Sequence, residues 1–143
     1  MADEFADEIA RAAEKAVAMC AARGSAILDY SESSLSVVED MLSEAAAFTS
    51  EMTPDEINTL VQDFGCYVLA IGRREFAGRY LWHEERDQPI LVVGEPKFRV
   101  AMMAWDRVRG RLSGDAADNI PFFYDGFAGR ARQAVTGTDA LYV

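Results

Sequence analysis

The sequence predicts a single α+β domain, 1–143, in which four to five helices pack on a short antiparallel sheet. Apolar residues recur at intervals of three and four over most of the chain, which is the spacing of one helical face. Residues 79–84 and 89–93 instead show the alternation and the β-branched content of strands, and a polar loop joins them as a hairpin. The length of 143 residues suits one domain.

Two helices are predicted in the first third of the chain. The first occupies residues 1–24 and carries acidic residues at its N-terminal end, where they complement the helix dipole. A short link over 25–30 follows. The second helix starts at Ser31 or Ser33, which are both good N-caps, and it fades near 48–50.

The third helix, 53–75, has the clearest start in the chain. Thr53 and Glu56 form a capping box, and Pro54 suits the first helical position. From Gly65 onwards the residues are apolar on nearly all sides, which predicts a central, buried helix. A glycine inside a helix costs about 1 kcal/mol relative to alanine, so a close approach by a neighbouring element is expected at Gly65.

Another helix is predicted after the hairpin, following a break at 94–96. Its apolar face holds Phe98, Met102, Trp105, Val108 and Leu112, and its basic face holds Arg99, Arg107, Arg109 and Arg111. The basic face has two interpretations. It binds an anion or an acidic protein, or it packs against the acidic N-terminal half of the same chain.

The C-terminal part is predicted to contain one more short helix, capped by Asn119, with Phe122, Phe123 and Phe127 on its buried side. Residues 134–143 are predicted as a loose tail, with an edge strand at its end as the alternative. A lone hairpin is marginal in water, so a third strand, or helices packed on one face of the hairpin, are expected.

The net charge of −10 is unevenly distributed along the chain. Residues 1–64 hold 14 acidic and 3 basic side chains, whereas residues 65–143 hold 10 acidic and 11 basic ones. A basic footprint for nucleic acid is missing, so no nucleic-acid partner is predicted. The acidic half is either a solvated surface or a surface that attracts a basic partner protein.

Apolar runs are too short for the ~20 residues of a membrane span, and the N-terminus is acidic rather than basic and apolar. A cytoplasmic protein with no membrane contact is therefore expected. Cys20 and Cys66 are expected to be reduced, buried residues. With a single histidine and no paired cysteine motif, neither a metal site nor a cofactor is predicted.

Candidate catalytic residues are not identified, because the sequence places no nucleophile beside a base and has no phosphate-binding loop. The only histidine, His83, is followed by Glu84, but neighbours along a strand point to opposite sides. Most of the aromatic residues in the second half are expected in the core, because they bury the largest areas. Tyr80 or Trp82, on an open face of the sheet, is the alternative: an exposed anchor for a partner. The candidate ligand- or partner-binding residues are Tyr67, Tyr80, Trp82, His83 and Glu84.

Short segments follow one another in a defined order over residues 27–125. They are Leu28-Asp29-Tyr30-Ser31, Phe64-Gly65-Cys66-Tyr67-Val68, Trp82, Ile90–Val93, Arg111-Leu112 and Asp118–Tyr124. In this order the chain resembles a family of uncharacterised bacterial proteins, a domain of unknown function. The resemblance implies a bacterial origin and brings no catalytic residues.

Three functional hypotheses follow. The first is a non-catalytic bacterial protein-interaction module, either an immunity-type protein or a regulatory adaptor. The second is a small enzyme or ligand-binding protein with a pocket between helix 53–75 and the hairpin, lined by Tyr67, Trp82 and His83. The third is a homodimer that forms through the open face or the edge of the sheet.

Overall fold

The structure is a computed structural model that describes residues 2–24 and 26–143. Ser25, the first residue of the predicted link, lies outside the described residues. The described part of the chain forms five α-helices and one four-stranded sheet, so the predicted α+β class is confirmed. The helices are α1 (Ala2–Ala22), α2 (Leu35–Ala46), α3 (Pro54–Phe76), α4 (Trp105–Leu112) and α5 (Ile120–Gln133). The strands are β1 (Arg79–His83), β2 (Gln88–Val93), β3 (Arg99–Met102) and β4 (Asp139–Tyr142).

The sheet has the strand order β1-β2-β3-β4. The first three strands are antiparallel and β4 lies parallel to β3. The predicted hairpin is confirmed, with Trp82 opposite Pro89 and a polar loop over 84–87. The prediction of a loose tail over 134–143 is wrong, because β4 pairs along the whole of β3. The edge strand that the sequence left as the alternative is the one that forms.

The helix predicted after the hairpin begins later than expected. Residues 99–102, which were assigned to its first turns, form β3, and α4 starts only at Trp105. Two periods overlap in this stretch: Val100 and Met102 pack towards the helices, whereas Ala101 belongs to a small cluster on the other face of the sheet. Pairing with strands on both sides satisfies the backbone groups of β3, and this outweighs the helical spacing.

Helix α5 is longer than predicted, and one of its three aromatic residues points outward. Asn119 caps the helix by accepting a hydrogen bond from the backbone N–H of Phe122 at 2.9 Å, as expected. Phe123 and Phe127 are buried, but Phe122 is 76% exposed, so its predicted burial is wrong. The buried face follows the helical spacing from Ile120 instead, and Phe122 falls outside that face.

Helix α3 lies at the centre of the core. Every residue from Asp63 to Gly72 is buried, and the helix contacts α1, α4, α5 and β2. A Cβ atom added at Gly65 would lie 2.4 Å from Cδ1 of Trp105, and one at Gly72 would lie 2.9 Å from a methyl group of Leu91. The close approach expected at Gly65 is therefore confirmed.

Replacing Gly65 by alanine should destabilise the protein by about 1–2 kcal/mol, because the overpacking cost exceeds the gain in helix propensity. Gly129 is the matched control, since it also lies within a helix but a Cβ there would meet nothing within 4 Å. Gly129→Ala should therefore stabilise by up to about 1 kcal/mol. Urea denaturation measures both changes. A Gly65→Ala variant as stable as Gly129→Ala would show that Trp105 is not tightly packed on α3.

Candidate functional site

The predicted binding residue Tyr67 lies inside the core. Its side chain is fully buried, and its hydroxyl accepts a hydrogen bond from the backbone N–H of Tyr30 at 2.8 Å. The same hydroxyl shares a 2.6 Å hydrogen bond with Oγ of Ser34. Tyr67 therefore anchors the chain before α2 and does not face solvent.

The other four predicted residues, which lie on or beside β1, do not converge either. Tyr80 and Trp82 face the helices, whereas His83 lies on the opposite side of the strand. Nδ1 of the half-buried His83 accepts a hydrogen bond from the backbone N–H of Arg86 at 3.3 Å. Glu84 lies in the exposed turn. The five candidates are thus divided among the core, the two sides of β1 and the hairpin turn.

The ring of Trp82 borders a narrow aromatic slot. Its centroid lies 6.2 Å from that of Phe5 and 6.0 Å from that of Trp105, in edge-to-face arrangements. The slot has a volume of about 130 Å³. Edge-to-face contacts of this kind stabilise a packed cluster, and the slot beside it is smaller than an ordinary ligand pocket.

The outer face of the sheet exposes little apolar surface at its centre. Ile90, Val92 and Ala101 form a buried cluster there. The exposed apolar side chains, Leu81 and Leu141, lie on the two edge strands. A homodimer through this face stays a prediction.

A larger apolar surface lies where the C-terminal part of α1, helix α2 and the start of α3 meet. Three methionines, Met19, Met41 and Met52, line it together with Ala45 and Leu60. We call this surface the methionine groove. It consists of two adjoining lobes of about 410 and 570 Å³. Phe48, which is 55% exposed, lines the second lobe.

Acidic side chains form the rim of the methionine groove. Asp55 and Glu56 line one lobe and Glu44 lines the other. Among the described residues of the lining, the one cation is Arg23, whose guanidinium lies 3.9 Å from the carboxylate of Glu44. Both of these side chains are more than half exposed. An exposed pair of this kind contributes only about 0–1 kcal/mol, so Arg23 can be displaced at little cost.

The start of α3 positions one side of the acidic rim. Oγ1 of Thr53 accepts a hydrogen bond from the backbone N–H of Glu56 at 3.1 Å, and the Glu56 carboxylate accepts one from the N–H of Thr53 at 3.0 Å. This is the capping box that the sequence predicted. The two carboxylates of Asp55 and Glu56 are also favoured at the positive end of the helix dipole.

A second cavity of about 300 Å³ lies at the opposite end of α1 and α3, beside β1. Two arginines from the last turn of α3, Arg73 and Arg74, line it together with Tyr30, Tyr80 and Glu14. We call it the arginine cleft. The guanidinium carbon of Arg73 lies 4.9 Å from the ring centroid of Tyr80, and that of Arg74 lies 3.5 Å from the ring centroid of Tyr30. Burial raises the pKa of Tyr80 to about 12, although Arg73 acts in the opposite direction.

The basic face of α4 pairs mainly within the chain. Nε of Arg111 donates a 2.5 Å hydrogen bond to Glu39 on α2. Arg109 donates one to Asn58 on α3. Glu39 also accepts a 3.0 Å hydrogen bond from the backbone N–H of Ile120. Of the other arginines predicted on this face, Arg107 pairs with Asp118 of the second half at 3.3 Å, and Arg99 lies on β3 instead of on the helix. The predicted packing against the acidic N-terminal half is therefore found at Arg111, whereas binding of an anion or an acidic protein stays a prediction.

Both cysteines are free and buried, as the sequence predicted. Burial raises the pKa of the Cys66 thiol to about 12, with a smaller opposing effect from Trp105. Within residues 2–24 and 26–143, no group of three or more histidine, cysteine or acidic side chains is placed to hold a metal ion. Among the helices of the same residues, none is long and apolar enough to cross a membrane.

Comparison with known proteins assigns no function to these surfaces. No family model, curated protein or solved structure matches the chain. The resemblance to a bacterial family of unknown function therefore stays a prediction from the sequence.

Sequence reasoning missed both the methionine groove and the arginine cleft. The groove combines residues from three helices that are distant in sequence. For the cleft, the sequence did contain a signal. Arg73 and Arg74 have Leu69 and Ala70 four residues earlier, so neither has an acidic partner on its own helix at that spacing.

Asp63 is a buried acid on α3. Its side chain is nearly inaccessible, and no hydrogen bond to its carboxylate is found among the described residues. Burial raises the pKa of Asp63, with a smaller opposing effect from Lys15. The folded state therefore holds this proton more tightly than the unfolded state does. Stability should fall as the pH rises above the ordinary carboxylate pKa of about 4.

Replacing Asp63 by asparagine should remove this loss of stability. We expect Asp63→Asn to be more stable than the parent protein at pH 7, with the difference disappearing towards about pH 4. Thermal unfolding across this pH range measures the difference. Asp125→Asn, at an exposed position on α5, is the control and should leave the stability unchanged at both pH 7 and about pH 4. A lower stability of Asp63→Asn at pH 7 would mean that the charged form of Asp63 is the one the fold favours.

Proposed function

We propose that the chain is a non-catalytic protein-interaction module whose methionine groove binds a basic amphipathic helix of a partner protein. The observation that carries this proposal is an accessible apolar groove surrounded by carboxylates. An amphipathic helix binds such a groove by placing residues at positions i, i+3, i+4 and i+7 into it. Basic residues on the opposite face of the bound helix would then contact the acidic rim of the groove.

The lining of the groove supports this mode of binding. Methionine side chains are flexible and polarisable, so they adapt to the shape of a bound apolar residue. Three of them come from three different segments, and the exposed ring of Phe48 extends the surface.

The charges of the rim favour a basic partner. Residues 1–64 carry 14 acidic and 3 basic side chains, and the rim lies within this half. Complementary charge steers association and excludes partners of the wrong sign. The same rim opposes pairing of two copies through the groove, because Glu44, Asp55 and Glu56 of each copy would face one another. A basic partner also compensates the displacement of Arg23 from Glu44.

We further propose that this module acts in a bacterial cytoplasm, on the basis of the sequence resemblance. An immunity-type protein and a regulatory adaptor both act by stoichiometric binding, and the methionine groove would serve either role. A nucleic-acid partner is disfavoured by the net charge of −10.

A designed peptide tests the binding mode directly. The probe is a helical peptide of leucine and lysine with its leucines on one face, and the control is a scrambled peptide of the same composition. With the methionine methyl groups labelled by ¹³C, we expect the signals of Met19, Met41 and Met52 to shift on titration. Met102 and Met103, which are fully buried at the sheet, should not shift.

Charge variants complete this experiment. Glu44→Gln should weaken binding of the basic peptide by up to about fivefold, which corresponds to an exposed ion pair of about 1 kcal/mol. Glu84→Gln, in the hairpin turn, should leave the affinity unchanged. Equal shifts at the groove and sheet methionines, equal binding of the scrambled peptide, or no shift at saturating peptide would each contradict the proposal.

A further inference from the structure

We propose that the arginine cleft binds a small organic anion that carries a carboxylate or phosphate group on a flat apolar body. The cleft lies at the other end of α1 and α3 from the methionine groove, and the inference does not depend on the proposed function. Arg73 and Arg74 would hold the oxyanion, and the apolar body would lie against the alanines of α1.

The arginines are arranged to receive a ligand. Each guanidinium lies over a tyrosine ring, Arg73 over Tyr80 and Arg74 over Tyr30. Stacking occupies the face of the Arg74 guanidinium and leaves the N–H groups at its edge free. Arg73 also donates a side-chain hydrogen bond to the hydroxyl of Tyr80, which uses one of its N–H groups and leaves the others for a ligand. Those N–H groups form the fork that matches the two oxygens of a carboxylate or a phosphate.

Among the side chains of residues 4–24 and 26–143, neither arginine has a carboxylate partner at ion-pair distance. Other arginines of the second half do have one, for example Arg79 with Glu95 at 2.8 Å and Arg111 with Glu39 at 2.5 Å. Because the two arginines are adjacent in the last turn of α3, they concentrate positive charge at the cleft. Their positive charge is therefore available for an anion from outside the chain.

The acid that lines the cleft is already engaged. Glu14 accepts a 2.5 Å hydrogen bond from the hydroxyl of Tyr30. With Arg73, Arg74 and Glu14 as its charged groups, the lining keeps a net positive charge. The cleft is therefore a local positive site at the edge of an otherwise acidic half.

The ring of Tyr30 is held in place by contacts between its backbone and the core. Tyr30 has φ at +65°, a left-handed conformation that is unfavourable for a residue with a side chain. The buried hydroxyl of Tyr67 stabilises it by accepting a hydrogen bond from its backbone N–H. Ser34 in turn fixes Tyr67 through the 2.6 Å hydrogen bond between their hydroxyls. This chain of contacts orders the platform on which Arg74 stacks before any ligand arrives.

Small side chains leave the space for the apolar body. The cleft between the arginines and α1 is lined by alanines, namely Ala6, Ala10 and Ala13 on α1 and Ala70 on α3. Its volume of about 300 Å³ lies at the lower end of ligand pockets, which indicates a small molecule rather than a nucleotide-sized one.

Calorimetric titration with benzoate and phenyl phosphate tests the inference, with benzyl alcohol as the neutral control. We expect saturable binding of at least one anion and none of the alcohol. The comparison of the two anions decides between a carboxylate and a phosphate ligand.

Arg73→Gln and Arg74→Gln should each weaken binding about tenfold or more, as expected for loss of a charge-assisted hydrogen bond. Arg130→Gln, an exposed arginine in the last turn of α5, should have no effect.

A steric variant keeps both charges and blocks the space. Ala10 is exposed on α1, so Ala10→Leu should leave the fold intact and abolish binding by filling the cleft. No saturable binding of either anion up to about 10 mM would overturn the inference. Unchanged binding in Arg73→Gln, Arg74→Gln or Ala10→Leu would also overturn it. Methyl signals of the methionine groove should stay unchanged throughout, so failure here and failure of the proposed function are distinguishable.

Discussion

The burial of α3 on all sides is the constraint on which the rest of the structure depends. A helix surrounded by four other elements needs places where they can approach its backbone, and Gly65 and Gly72 provide them. Trp105 lies against the first glycine and fixes the start of α4. Leu91 of β2 lies against the second and fixes the distance between α3 and the sheet. Close packing of this kind leaves the interior with little freedom to serve as a binding site.

The two ends of α3 are where the helix reaches solvent, and both candidate sites lie there. Asp55 and Glu56 in its first turn contribute to the rim of the methionine groove, and Arg73 and Arg74 in its last turn line the arginine cleft. Acidic residues at the N-terminal end and basic residues at the C-terminal end also stabilise α3, because they interact favourably with its dipole. Helix α1 runs antiparallel along α3 and completes both sites, with Met19 at one end and its alanines at the other.

Local signals in the sequence predicted most of the elements correctly. The capping box at Thr53, the cap at Asn119 and the hairpin depend on neighbouring residues, and all three were found, although the hairpin turn lies one residue earlier than predicted. The start of α4 was placed wrongly because Met102 and Trp105 fit the helical period, while strand pairing with distant β4 decides the outcome. The two sites escaped prediction for the same reason: Met19, Met41 and Met52, or Tyr30 and Arg74, meet only after distant helices have packed.

The central claim is that apolar contacts bind a partner helix at the methionine groove while the acidic rim selects a basic one. Fluorescence anisotropy with two helical peptides tests it most directly, if they share one leucine face and differ only in arginine or glutamate on the other. The account predicts tighter binding of the arginine peptide at about 0.05 M salt, and a smaller difference at about 0.5 M, where screening is stronger. Equal affinity for the two peptides, or a preference that salt does not change, would contradict it.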